Sequence, residues 1–246
     1  MKTKNLFIKA ALYVSIALLA PIANNFLKSS DIVYAEQTKI FSTVDEATKW
    51  GEKLIKKASY SVKEKSEIYN YTKNSSSINT ALRNSKGILD QLSTDLQTRI
   101  RVLDQAIFKV STPEPVTVYR LLNYDFLQSI SGLTQGDLEN LKTSNKKLDT
   151  SLVNKLQRLM KQKIYREDGY SSTQLFNGSA VVGRPIELRL DLPKGTKLAY
   201  INSRELTAYY GQQEVLLPRG TEYSVQDVKT STDHTRIIIH ANVFKK

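Results

Sequence analysis

The stretch Tyr209-Tyr210-Gly211-Gln212-Gln213-Glu214-Val215-Leu216-Leu217-Pro218 (residues 209–218) decides the fold class. Two aromatics and a glycine release a loop, two amides and a carboxylate follow, and three apolar residues run into a proline. A short β-favouring run bounded by Gly and Pro predicts a strand over Glu214–Leu217. The same pattern recurs through the last third of the chain. It predicts strands over Ile186–Leu192, Leu198–Ile201, Tyr223–Lys229 and Arg236–Phe244, punctuated by Gly183, Pro185, Pro193-Lys194-Gly195, Gly211 and Pro218-Arg219-Gly220. Earlier, Val116-Thr117-Val118-Tyr119-Arg120-Leu121 alternates and is rich in β-branched residues, which predicts one more strand.

The front of the chain has the other period. Thr43-Val44-Asp45-Glu46 fits a capping box, and Ala47, Trp50, Leu54 and Ile55 follow at helical spacing. Further helices are expected around Glu64–Tyr71, Ile78–Arg83 and Ser93–Val110, the last carrying Leu96, Ile100, Leu103 and Ile107 on one stripe with Pro113 beyond it. Asn74-Ser75-Ser76-Ser77 reads as a loop, and helical pieces return near 136–142 and 149–162. A helical front and a β-rich back give an α+β fold: a helical N-terminal part packed on a mostly antiparallel two-sheet core.

The first 35 residues are set apart by composition. Lys2, Lys4 and Lys9 precede the apolar run 10–20, which is shorter than the roughly 20 residues of a membrane span. Val33-Tyr34-Ala35 offers a cleavage site, so residues 1–35 are expected to be a signal peptide and 36–246 one secreted domain. No second apolar run approaches spanning length, so no stable membrane insertion is expected. The whole chain carries +12, and the leader holds three of those charges, which leaves +9. A basic secreted protein can meet nucleic acid, anionic membrane or an acidic protein surface, and net charge alone does not choose among them. The basic residues are scattered rather than packed in one block, and no nucleic-acid partner is expected. There is no Cys, which excludes thiol catalysis and a disulfide scaffold, and with only His234 and His240 no metal site is expected.

Three segments could carry chemistry. Arg120 interrupts an apolar strand: either its stem packs at a sheet edge with its head in water, or a rigid strand presents a guanidinium fork to phosphate. Gly169-Tyr170-Ser171-Ser172-Thr173-Gln174 is a hydroxyl cluster between a helix and a strand, either a turn or a support that orients a catalytic side chain. Gln212 and Glu214 stand two apart. If a strand begins near Gln212 they share one face, and Glu214 enters an apolar wall where a carboxylate is either an exposed edge residue or functional.

Arg, Ser-Thr and Gln-x-Glu, in this order, resemble the Arg/Ser-Thr-Ser/Glu signature of the ADP-ribosyltransferases. Ala208 to Arg219 and Gly183-Arg184-Pro185-Ile186 are similar to the Rho-modifying C-three-type exoenzymes, nearest to the staphylococcal epidermal cell differentiation inhibitor branch. The likeness spans 36–246. It implies the ADP-ribosyltransferase fold, NAD as co-substrate without a metal, and transfer of ADP-ribose to an asparagine of a host Rho-family GTPase by a monomer acting in the host cytosol.

The resemblance also implies roles. Glu214 matches the catalytic glutamate, which holds the 2′-hydroxyl of the nicotinamide ribose and stabilises the oxocarbenium-like charge. Gln212 matches the residue that positions the acceptor amide, an amide being able both to donate and to accept. Arg120 matches the NAD-clamping arginine, and Ser172 the first serine that orients Glu214; the third serine of the motif is Gln174 here. Asn79 and Arg83, a helical turn apart, correspond to cofactor-binding residues. Gly183 and Arg184 belong to the loop that folds over NAD, with Val181 where some relatives carry an aromatic. Gly211, which frees the loop before Gln212, is counted with the cofactor-binding residues, and Tyr209 at the loop tip would contact Rho.

Two rival readings predict different behaviour. A non-enzymatic basic binding module or adhesin would keep its activity after Glu214→Gln and would not be stabilised by NAD. A glycoside hydrolase using Glu205 and Glu214 would give Gln212 and Arg120 no role.

Overall fold

Hydroxyl caps start three of the four α-helices of the front half in the computed structural model, which describes residues 37–143, 148–178 and 183–245. The expected signal peptide and Val181 lie outside the described residues. Helix α1 (Val44–Ala58) begins at Thr43, whose hydroxyl accepts from the Glu46 amide at 3.2 Å. The reciprocal half of that expected capping box is not made, because the Glu46 carboxylate accepts from Ser42 instead. The full reciprocal box is on α2 (Val62–Lys73), between Ser61 and Glu64. Helix α3 (Ser75–Asn84) begins inside the serine run that reads as a loop. Serine competes poorly for helix interiors but suits a first turn, so the run starts a helix rather than separating two. Ser93 caps α4 (Thr94–Ile107).

After strand β1 (Val116–Leu122) come α5 (Gln135–Thr143) and α6 (Thr150–Met160). The remaining strands are β2 (Ile164–Glu167), β3 (Ser171–Gln174), β4 (Ile186–Leu192), β5 (Ala199–Tyr200), β6 (Glu214–Leu217), β7 (Thr221–Thr230) and β8 (Ile237–Val243). Strand β2 is absent from the sequence expectation: it is four residues long and Ile164 is exposed, so no buried alternation marks it.

The two expected sheets are joined in one ladder, in the order β2-β7-β8-β4-β1-β3-β6-β5. All pairings are antiparallel except β4 with β8. The join is slender. Strand β1 is registered against β4 over its whole length but against β3 only through Tyr119 and Gln174. Five strands therefore lie on one side of this seam and three on the other, within one sheet rather than the expected two.

The apolar stripes of α1 (Ala47, Trp50, Leu54) and α4 (Ile100, Leu103, Ile107) share one core with Val118, Leu190, Val215 and Ile239 of the strands. Helix α1 meets β5 at Gly51, where a Cβ would lie 2.3 Å from the Tyr200 ring. Only glycine permits that approach. No described helix is long and apolar enough to cross a membrane.

Candidate active site

The seam between β1 and β3 collects the polar residues singled out by sequence. Glu214 opens β6 and is buried, with its Oε1 accepting from the Ser172 hydroxyl at 2.5 Å. Burial pushes the Glu214 carboxyl above the usual carboxylate range, and the Ser172 hydrogen bond partly opposes that rise. From β1, Arg120 donates through Nη1 to Ser171 Oγ at 2.8 Å and to Glu167 Oε2 at 3.4 Å.

A cleft of about 380 Å³ is walled by Arg120, Ser172, Gln174, Tyr209, Gln212 and Glu214, together with Arg184 and Tyr71. A neighbouring cavity of about 540 Å³ shares Arg120, Leu122 and Arg184 with it and adds Arg83, Tyr165, Glu167 and Tyr223. Both volumes suit small-molecule sites. Chemically, the cleft offers guanidinium groups for phosphate, a buried carboxylate for a developing positive charge, and an amide that can donate and accept.

Gln212 and Glu214 do line one cleft, but not by strand alternation. The strand begins at Glu214, and Gln213 between them has φ 55°, in the left-handed region. The loop is shaped by Asn202, whose Oδ1 accepts from the Gly211 amide at 2.7 Å and the Gln213 amide at 3.3 Å. Gln213 turns inward and is buried, accepting from the Tyr200 hydroxyl at 2.6 Å. Burial pushes that hydroxyl up to about 12. Gly211 has φ 100°, and Tyr209 stands half exposed at the loop tip.

The other expected residues are placed differently. Arg184 lines the cleft and donates to the Leu121 carbonyl at 2.8 Å. Gly183 is exposed with φ 93°. Asn79 and Arg83 share α3 but not an environment. Arg83 is half exposed and forks onto Glu167, whereas Asn79 is buried, donating to the Tyr71 hydroxyl at 3.0 Å and accepting from the Tyr170 amide at 2.9 Å. Asn79 thus ties α3 to the start of β3 and is on neither cavity wall among the described residues. Glu205 is exposed and paired with Lys65 at 2.6 Å, away from the cleft wall, so Glu205 and Glu214 do not form a carboxylate pair.

Sequence reasoning missed Glu167 and Asn202, and gave Ser171 and Gln213 no role of their own within the segments that hold them. Asn202 carried a signal, since Asn between a strand and a loop often accepts from nearby backbone amides. Glu167 carried none, because its partners are 84 and 47 residues away.

Fold and cleft define an ADP-ribosyltransferase. The family model for the ADP-ribosyltransferase exoenzymes matches residues 47–246, and the chain belongs to that family. Members use NAD as co-substrate. The chain is 56% identical to the epidermal cell differentiation inhibitor of Staphylococcus aureus, over 100% of both chains. It is 31% identical to the mono-ADP-ribosyltransferase C3 of the Clostridium botulinum D phage, over 94% of this chain and 93% of that one. Among solved structures, C3stau2 from S. aureus with NAD is 60% identical with a TM-score of 0.84, covering 85% of this chain and 100% of that chain. The Clostridium limosum C3 exoenzyme is 31% identical with a TM-score of 0.75, covering 86% and 100%.

Proposed function

We propose that residues 1–35 are a leader removed on export, and that residues 36–246 form one secreted domain acting as a monomer in the host cytosol. It transfers ADP-ribose from NAD to an asparagine side chain of a host Rho-family GTPase and inactivates it. The reading rests above all on one observation: the Ser172–Glu214 hydrogen bond lies on the same cleft wall as Arg120 and Gln212.

In this reading Arg120, Arg83 and Arg184 engage the diphosphate, and holding NAD folded removes most of the entropic cost of reaction. Glu214 accepts from the 2′-hydroxyl of the nicotinamide ribose and stabilises the charge that grows at C1′ as the bond to nicotinamide breaks. The bonding pair goes to the ring nitrogen, so the ring leaves neutral and no metal is called for. The acceptor amide nitrogen, held by Gln212, bonds to C1′ and releases a proton to solvent. Tyr209 at the exposed tip faces the GTPase. The staphylococcal relative with NAD and the C3 relatives, named as mono-ADP-ribosyltransferases, support this chemistry.

The test incubates 36–246 with labelled NAD and recombinant Rho, beside Glu214→Gln and Gln212→Ala. Expected are label on Rho with the wild type, none with Glu214→Gln, and nicotinamide release without transfer with Gln212→Ala. Folded wild type that neither labels Rho nor releases nicotinamide overturns the reading.

A further inference from the structure

Glu167 ends β2 with its side chain only 18% exposed, and it gathers donors from three separate pieces of chain. Its Oε1 accepts from Arg83 Nε and the Gly169 amide, both at 2.9 Å. Its Oε2 accepts from Arg83 Nη2 at 3.0 Å and Arg120 Nη1 at 3.4 Å. Two guanidinium groups thus meet at one carboxylate oxygen. Without the carboxylate they would repel at this range and splay apart. With it, each is held in a fixed direction by charge-assisted hydrogen bonds.

The carboxylate does not exhaust either fork. Arg83 gives Glu167 its Nε and Nη2, and Nη1 is not engaged there. Arg120 gives Nη1 to Glu167 and Ser171, while its Nε and Nη2 are engaged by neither. Both arginines line the larger cavity. A diphosphate can therefore be read by the remaining N–H groups while Glu167 stays in place.

We propose that Glu167 is a positioning residue for NAD: it sets Arg83 of α3 and Arg120 of β1 side by side, aimed at the diphosphate, and remains between them when NAD binds. This rests on the reading of the cleft as an NAD site. It assigns Glu167 no contact with the reacting atoms, so its removal acts on binding and not on bond breaking.

Calorimetric NAD binding and the KM and kcat of nicotinamide release test this on wild type, Glu167→Gln and Glu167→Asp. Glu167→Gln keeps the shape and turns an amide donor toward the guanidinium groups. It is expected to weaken NAD binding and raise KM about tenfold, with kcat within about twofold and a somewhat lower melting temperature that Glu167→Asp restores, because the paired guanidinium groups lose their charged partner. Glu167→Asp, which keeps the charge one methylene short, is expected to lie between the two. Equal or tighter NAD binding by Glu167→Gln overturns the inference alone, because the carboxylate would then be idle or in competition with phosphate. A loss confined to kcat, or a fall in melting temperature that Glu167→Asp shares, also overturns it. Wild type that binds no NAD overturns the reading of the cleft, and this inference with it.

Discussion

Ser172 and Glu214 hydrogen-bond at 2.5 Å although they are diagonal and not opposite partners in the β3–β6 ladder. Ser172 is registered against Leu216, and Glu214 against Gln174. Diagonal neighbours two positions apart share a face, so hydroxyl and carboxylate emerge on one side of the sheet, within reach of each other. The bond is thus set by strand register, and the carboxylate it restrains is buried.

Glu214→Gln is expected to lower transfer by about 10²–10³ or more, as removal of a group that stabilises transition-state charge does. Its melting temperature at pH 7 is expected to equal or exceed that of the wild type. The folded protein holds the Glu214 pKa above its ordinary value, so the ionised form is disfavoured by folding at neutral pH. Paired rate and thermal measurements check both outcomes, and a large drop in melting temperature contradicts this account.

The acid limb of the activity profile is expected above the ordinary glutamate value of about 4.3, because burial raises the Glu214 pKa and the proposed mechanism requires its ionised form. Ser172→Ala removes the hydrogen bond that holds the value down. The limb is then expected to move further up in pH, with a lower plateau. Rates of nicotinamide release from pH 4 upward decide this, and a downward or absent shift contradicts it.

Asn202→Ala is expected to loosen the loop before Glu214 by leaving the Gly211 and Gln213 amides without their shared acceptor. A lost hydrogen bond to partly buried backbone costs about 1–3 kcal/mol. Transfer to the protein acceptor is expected to fall more than nicotinamide release, since Gln212 rides on this loop and Glu214 is anchored in β6. Equal loss of both activities contradicts the division.

Gly51→Ala is expected to destabilise the chain by about 1–3 kcal/mol, as overpacking does. Its Cβ would stand 2.3 Å from the Tyr200 ring. The loss should appear as several degrees of melting temperature, at roughly 2–4 °C per kcal/mol. Because Tyr200 also holds Gln213, NAD binding should weaken as well. An unchanged melting temperature contradicts the packing.

His240 and Asp191 are 2.7 Å apart on the neighbouring strands β8 and β4. The Asp191 hydrogen bond raises the His240 pKa. Burial pushes Asp191 upward, but hydrogen bonds from His240 and Thr117 hold it below its ordinary value. The aspartate contribution is present above about pH 3.9 and lost as pH falls through its lowered pKa. The histidine contribution is full below about pH 6.5 and lost as pH rises through its raised pKa. The stability gap between wild type and His240→Gln is therefore expected to be widest between these limits and to close toward alkaline pH. Denaturant melts at pH 5.5 and 9 measure it.

Much of the fold was legible because its signals are local. The helical stripe on α4, the Gly- and Pro-bounded strands and each of the segments around Arg120, Ser172 and Gln212-x-Glu214 lie within short windows of chain. Periodicity and turn chemistry act over such windows. The serine run of α3 and the short edge strand β2 misled or escaped that reading, since neither shows a buried alternation.

The sequence alone determined the α+β class and singled out Glu214, Gln212 and Arg120, which line one cleft. Only the tertiary structure decided how they meet. A single registered pair joins β1 to β3 and places the site at a seam. Gln213 in the left-handed region, not strand alternation, turns Gln212 into the cleft. Glu167 was invisible until the fold carried it between Arg83 and Arg120, 84 and 47 residues away in the chain. Ion pairs are made by distance in space, and no local pattern encodes the separation that folding closes.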